Sequence, residues 1–203
     1  MLNRYARAFV TRLFTPLAVL LTRLGVSPDV VTVVGTLGVA VGALGFYPRG
    51  EFLVGTLIIA VFVFADSLDG TMARHSSRSS TWGAFLDSTL DRLADACIFG
   101  GLVLWYAGDG QQAYLAALAL ACLILGGVVS YAKARAEGLG MTANVGIAER
   151  AERLVAVLLA AGLVGLGLPE VVLTVVLALL AVASLVTVVQ RMLEVRRQAL
   201  PAA

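Results

Sequence analysis

Six apolar runs, each near the length of a bilayer-spanning helix, dominate the sequence at residues 30–47, 52–73, 84–106, 113–132, 154–168 and 171–189. A helix rises 1.5 Å per residue, so about 20 residues cross a hydrocarbon core of about 30 Å. Within lipid every backbone N–H and C=O must find its partner inside the protein, which leaves helices as the natural form of such runs. Composition agrees. With 60% of 203 residues hydrophobic and 14% charged, the chain is too apolar for a soluble domain of this size. The expected fold is an all-α integral membrane bundle of six transmembrane helices. Gly- and Pro-bearing turns at 48–50, 108–110 and 167–169 alternate with basic connections at 75–82 and 133–153, so successive helices pack as hairpins.

Residues 1–24 read differently. Tyr5, Phe9, Leu13, Leu17, Leu20 and Leu24 recur at three- or four-residue steps with Arg4, Arg7 and Arg12 between them, the pattern of an amphipathic helix lying in the headgroup layer, bent at Pro16. The chain thus divides into an interfacial helix (1–24) and one six-helix transmembrane domain (25–203). With the amino terminus inside, almost every basic residue falls on the cytoplasmic side and only Arg49 lies outside. Both termini are then cytoplasmic, in a multi-pass protein of the cell membrane. The basic residues serve this topology and imply no nucleic-acid partner. Cys97 and Cys122 lie inside apolar runs and read as core residues. Gly38 and Gly42 form a small-residue pair suited to a helix seam, within the chain or between two copies. Abundant Ala, Val, Leu, Gly and Arg beside a single lysine, Lys133, point to a GC-rich bacterial source.

Against this background the carboxylates demand a reason. Asp66 and Asp69 fall near the end of the second run, and Asp87, Asp91 and Asp95 in the first half of the third. A charge near the bilayer centre costs roughly 2.5–3.5 kcal/mol on insertion scales, so cations, water or partners must compensate it. Asp66 and Asp69 share one helix face at i, i+3; Asp87 and Asp91 share another at i, i+4. Two such pairs on adjacent helices converge on the cytoplasmic half. Four oxygen donors without His or Cys favour Mg²⁺, with Mn²⁺ able to substitute, and a magnesium site built this way implies a phosphorylated substrate completing the shell. Gly70 leaves room for that ligand, Arg74 can hold its phosphate oxygens, and Gly83 keeps the facing helix slim. A divalent-cation transporter is the rival class, but the outer halves of the six runs carry almost no polar residues to continue a path.

Read together, Asp66-Ser-Leu-Asp69-Gly70-Thr-Met-Ala73-Arg74 and Gly83-Ala-Phe-Leu-Asp87-Ser-Thr-Leu-Asp91 resemble the CDP-alcohol phosphotransferase family at every position of its motif. Pro28-Asp29-Val-Val-Thr32, Ser130-Tyr-Ala-Lys133-Ala-Arg135 and Glu149-Arg-Ala-Glu152-Arg153 are similar to the actinobacterial phosphatidylinositol-phosphate synthase branch, although Asp29 replaces a common asparagine and Ala151 a frequent proline. The resemblance implies transfer of a phosphatidyl group from CDP-diacylglycerol to inositol 1-phosphate, releasing CMP, in a homodimer embedded in the lipid bilayer. It implies two metal ions on Asp66, Asp69, Asp87 and Asp91, with Asp91 also the base. Asp29, Thr32, Asp66, Gly70, Ala73, Arg74 and Gly83 would line the CDP-lipid side. Glycerol-3-phosphate is the alternative acceptor. The acceptor's phosphate needs a cationic cradle, for which Ser130, Lys133, Arg135, Arg153 and Arg191 stand at the cytoplasmic helix ends. Arg150, Arg196 and Arg197 are assigned to headgroup anchoring, and Arg92 with Asp95 to a local ion pair.

Overall fold

The computed structural model describes residues 26–63 and 80–200; the segment 1–24 lies outside them, as do Asp66, Asp69, Gly70, Ala73 and Arg74. Among the described residues all regular structure is helical. Helix α1 (Pro28–Phe46) starts where the Ser27 Oγ accepts the Val30 N–H at 3.3 Å, with a proline in the first turn. It closes in a 3-10 turn, Tyr47–Arg49, ended by Gly50 at φ 75°, a conformation that favours glycine. Helix α2 is described over Phe52–Val63. Helix α3 (Thr81–Ala107) is capped by Ser80, whose Oγ accepts the Gly83 N–H at 2.9 Å. Then follow α4 (Ala113–Glu137), α5 (Arg150–Gly165) and α6 (Val171–Ala199).

Among the described residues three stretches, Pro28–Arg49, Ala113–Glu137 and Val171–Ala199, are long and apolar enough to cross a membrane. Helix α3 has the length, at 27 residues, but carries Asp87, Asp91 and Arg92 in its first half and Asp95 just past its midpoint; α5 has only 16 residues. The helices do not stop where the apolar runs stop. α3 begins ahead of residue 84 and α5 ahead of 154, while α4 and α6 run past 132 and 189 into polar turns. Hydropathy marks where a helix can meet lipid, whereas the i to i−4 hydrogen bonds continue into water.

The interior is assembled from Val39, Ile59, Ile98, Leu102, Leu115, Leu173 and Leu177, drawn from α1, α2, α3, α4 and α6, with Val157 and Ala161 from α5. Small residues let backbones close. A Cβ on Gly101 would lie 2.6 Å from the Ala43 carbonyl oxygen, and one on Gly38 would lie 2.3 Å from the Phe62 ring. A Cβ on Gly42 would stand 2.9 Å from Ile59, so the Gly38 and Gly42 pair serves packing of α1 on α2 within the chain. Cys97 and Cys122 are buried and free. The outside is apolar too: Leu37, Val61, Leu104, Ile124, Leu159 and Leu179 are all exposed, the reverse of a soluble bundle.

Candidate active site

The end of the bundle formed by the starts of α3 and α5 and the last turns of α4 and α6 encloses a cavity of about 630 Å³. Asp91, Arg92 and Asp95 line it from α3, Ser130 and Lys133 from α4, Arg150 and Arg153 from α5 and Arg191 from α6. Five of the described side chains that line it are basic, which suits an anionic ligand despite the carboxylates among them.

Asp95 is the hub. It is 6% exposed, and its carboxylate meets Arg92 at 3.6 Å, Arg150 at 3.1 Å and Arg153 at 3.7 Å. The Arg92–Asp95 ion pair is the one expected from their i, i+3 spacing. Arg150 was assigned to headgroup anchoring, and the structure corrects this: its Nη1 lies 2.7 Å from Asp91 Oδ1 while its Nε donates to Asp95. No periodicity signal could have found that contact, because Arg150 sits where a loop turns into a helix. Glu152, three residues beyond Glu149 in a reciprocal capping box, was the only local hint that a helix starts there.

Arg153 is 1% exposed, over the gap left by Gly126, whose Cβ would stand 3.3 Å from the guanidinium. Its Nη1 donates to the Ala148 carbonyl at 3.0 Å, while its buried Nη2, 3.7 Å from Asp95 Oδ2, has no hydrogen-bond acceptor among the described residues. Arg92 Nε is likewise buried without one among them. Unsatisfied buried guanidinium hydrogens are costly and mark a place for an anion. Arg191 spends two N–H groups on backbone, Nε on Val145 O at 3.0 Å and Nη1 on Val129 O at 2.5 Å, which ties the loop after α4 to α6. Thr187 fixes the same loop, accepting the Ile147 and Ala148 N–H groups at 3.2 and 3.1 Å. Ser130 accepts from Arg92 Nη1 and donates to Gly126 O, so its own proton is engaged within α4. Lys133 stands 3.9 Å from Glu137.

Four of the five residues expected around an acceptor phosphate, Ser130, Lys133, Arg153 and Arg191, therefore line one cavity. Arg135 does not line it; with Arg196 it borders an adjoining groove of about 450 Å³ walled by Leu139, Met192 and Val195, which shares Arg191 with the cavity. On the other flank the starts of α1 and α3 lie together, Trp82 Nε1 donating to Asp29 Oδ2 at 3.2 Å and the Gly83 Cβ position 3.8 Å from Asp29. Thr32 is buried one turn inside α1 and donates to Pro28 O.

For a divalent cation the described residues supply half a donor set. Asp87 is exposed, a turn before Asp91, and no cationic side chain comes within ion-pair range of it among the described residues. No group of three or more His, Cys, Asp or Glu stands together among them. The exposed Asp87 and the arginine-paired Asp91, a turn apart on one helix face, fit a hard cation completed by further oxygen donors.

Residues 25–190 match the family model described as CDP-alcohol phosphatidyltransferase. A phosphatidylinositol phosphate synthase of Streptomyces avermitilis is 58% identical over 98% of this chain and 84% of the relative. One from Cutibacterium acnes is 46% identical over 94% and 96%. The crystal structure of the Mycobacterium tuberculosis phosphatidylinositol phosphate synthase with CDP-DAG bound superposes with a TM-score of 0.87 at 42% identity, covering 91% of this chain and 94% of that one. The same mycobacterial enzyme in complex with manganese and citrate gives 0.86, again at 42% identity, over 90% and 88%.

Proposed function

This chain belongs to the CDP-alcohol phosphatidyltransferase family, and from that premise we propose that it transfers the phosphatidyl group of CDP-diacylglycerol to inositol 1-phosphate, releasing CMP. One observation carries the choice of a phosphorylated acceptor: the buried Arg153, whose Nη2 has no hydrogen-bond acceptor among the described residues, beside Arg191 and Lys133 in the same cavity as Asp91. The named relatives and the neighbour holding CDP-DAG support the donor and the product class.

In this reading Arg153, Arg191 and Lys133 hold the acceptor phosphate, with Ser130 on the wall of the same cavity, its hydroxyl holding Arg92 in place. Guanidinium forks suit phosphate, and Lys133 adds a point charge. The acceptor hydroxyl then lies toward Asp91. It attacks the lipid-bearing phosphorus, the new P–O bond forms as the bond to CMP breaks, and the hydroxyl proton passes to Asp91. Oδ2 is the freer oxygen for it, since Arg150 engages Oδ1 at 2.7 Å whereas Arg92 stands 3.8 Å from Oδ2. Positioning dominates such a reaction, and the carboxylate takes the proton late, once attack has acidified the hydroxyl. Asp66, Asp69, Asp87 and Asp91 would hold two Mg²⁺ ions, for which Mn²⁺ substitutes; bound cations neutralise charge building on the phosphoryl oxygens. The manganese in the mycobacterial structure supports a divalent metal in the family. Asp29, Thr32, Asp66, Gly70, Ala73, Arg74 and Gly83 line the CDP side.

The proposed setting is the bacterial cell membrane, with six transmembrane helices, an interfacial helix at 1–24, both termini and the active site cytoplasmic, and two copies forming a homodimer. The deciding assay offers the membrane-embedded enzyme CDP-diacylglycerol and Mg²⁺ with inositol 1-phosphate, free inositol, glycerol-3-phosphate or serine in turn. CMP release specific to inositol 1-phosphate is expected; release with glycerol-3-phosphate instead would move the acceptor assignment.

A further inference from the structure

Arg150 opens α5, directly after Glu149, whose extended backbone (φ −75°, ψ 165°) and capping box with Glu152 set where the side chain leaves the helix. Its guanidinium reaches across the cavity to two carboxylates four residues apart on α3, Nη1 to Asp91 Oδ1 at 2.7 Å and Nε to Asp95 Oδ1 at 3.1 Å. The two contacts are unequal in kind. Asp95 is buried and shared with Arg92 and Arg153, so it anchors the guanidinium. Asp91 is only half-buried and lies a turn from Asp87, which has no cation beside it among the described residues. A positive group fixed by Asp95 therefore leans on the carboxylate assigned to metal binding and proton transfer.

We infer that Arg150 is a positioning residue: braced on Asp95, it orients Asp91 for proton transfer while its charge weakens the hold of Asp91 on a divalent cation. The inference rests on the proposed roles of Asp91. A guanidinium hydrogen bond and a divalent cation seek the same carboxylate oxygen, and two cations a few ångströms apart repel each other strongly in a partly desolvated site. The bridge also needs a planar fork, since Nε and Nη1 each address a different carboxylate; a lysine ammonium keeps the charge but not that geometry.

The test titrates Mn²⁺ alone into purified protein at fixed ionic strength and reads free Mn²⁺ by electron paramagnetic resonance, beside kcat and KM for CMP release. The proteins are wild type, Arg150→Gln, Arg150→Lys and, as an equal change in net charge, Arg196→Gln at an exposed site. Arg150→Gln is expected to bind Mn²⁺ about fivefold or more tightly, while kcat at saturating Mn²⁺ falls about tenfold or more. Arg150→Lys should keep a Kd close to wild type yet lose kcat. Unchanged or weaker Mn²⁺ binding in Arg150→Gln, including with a lowered melting temperature, would reduce Arg150 to a structural tie and overturn the inference. So would an equal gain in Arg196→Gln. Absence of CMP release from wild type would instead count against the proposed reaction, leaving the Mn²⁺ comparison readable by itself.

Discussion

At one end of the bundle Tyr47, Phe52, Trp105 and Tyr106 pack with ring centroids 5.5–6.0 Å apart, and Tyr47 shares a 2.8 Å hydrogen bond with Thr56. Gly165 closes in nearby, its Cβ position 2.3 Å from the backbone nitrogen of Leu53. At the other end Arg92, Arg150, Arg153 and Arg191 surround a cavity of about 630 Å³, tied to carboxylates and to loop carbonyls. The first end is held by contact area and shape, which tolerate no gap. The second is held by charges acting over 3–4 Å, which leave room for a guest. Stability and chemistry are thus allotted to opposite ends of the same helices.

The largest effect that separates the ends is expected from Asp91→Asn. CMP release should fall about a hundredfold or more, as for loss of a general base, with CDP-diacylglycerol binding and melting temperature largely kept; turnover close to wild type would remove Asp91 from the base role. Arg153→Gln should raise the acceptor KM about tenfold, the order of one charge-assisted hydrogen bond, with less effect on CDP-lipid affinity. An unchanged KM would make Arg153 a partner of Asp95 only. Moving to the packed end, Gly101→Ala places a Cβ 2.6 Å from Ala43 O and should cost about 1–3 kcal/mol. Thermal unfolding in detergent checks this, and kcat per folded molecule should hold. Smallest of all, Tyr47→Phe leaves Thr56 without its partner and should cost about 1 kcal/mol, again without altering KM for either substrate. Any of the last two that shifted acceptor KM more than stability would break the division.

The helical class and the gathering of Asp91, Ser130, Lys133, Arg153 and Arg191 were legible because a charge at the edge of an apolar run has few places to go. Arg135 shows where that reasoning ends. Two positions after Lys133 it stands about 200° around the helix, so it faces the groove shared with Arg196. Proximity in sequence is not proximity on a helix face. Arg150 was missed for the opposite reason: its neighbours Asp91 and Asp95 lie more than fifty positions away, and only tertiary packing brings them together. Helix ends were misplaced wherever polar turns extend a helix beyond its lipid-facing part, as at Glu137 and Ala199. The roles of Asp66, Asp69, Gly70, Ala73 and Arg74 stand on the motif, since these residues lie outside the described ones.

Helices α3 and α5 scarcely approach each other through their backbones at the cavity, and Arg150 and Arg153 reach across to Asp91 and Asp95 in place of packed methyl groups. A seam of this kind answers to a bound anion as a hydrocarbon seam does not, because the anion competes with Asp91 and Asp95 for the same guanidinium hydrogens. The gap between these two rods is in effect an ionic latch, sheltered by burial from dilute salt, and a dianion settling among the arginines would loosen it from within.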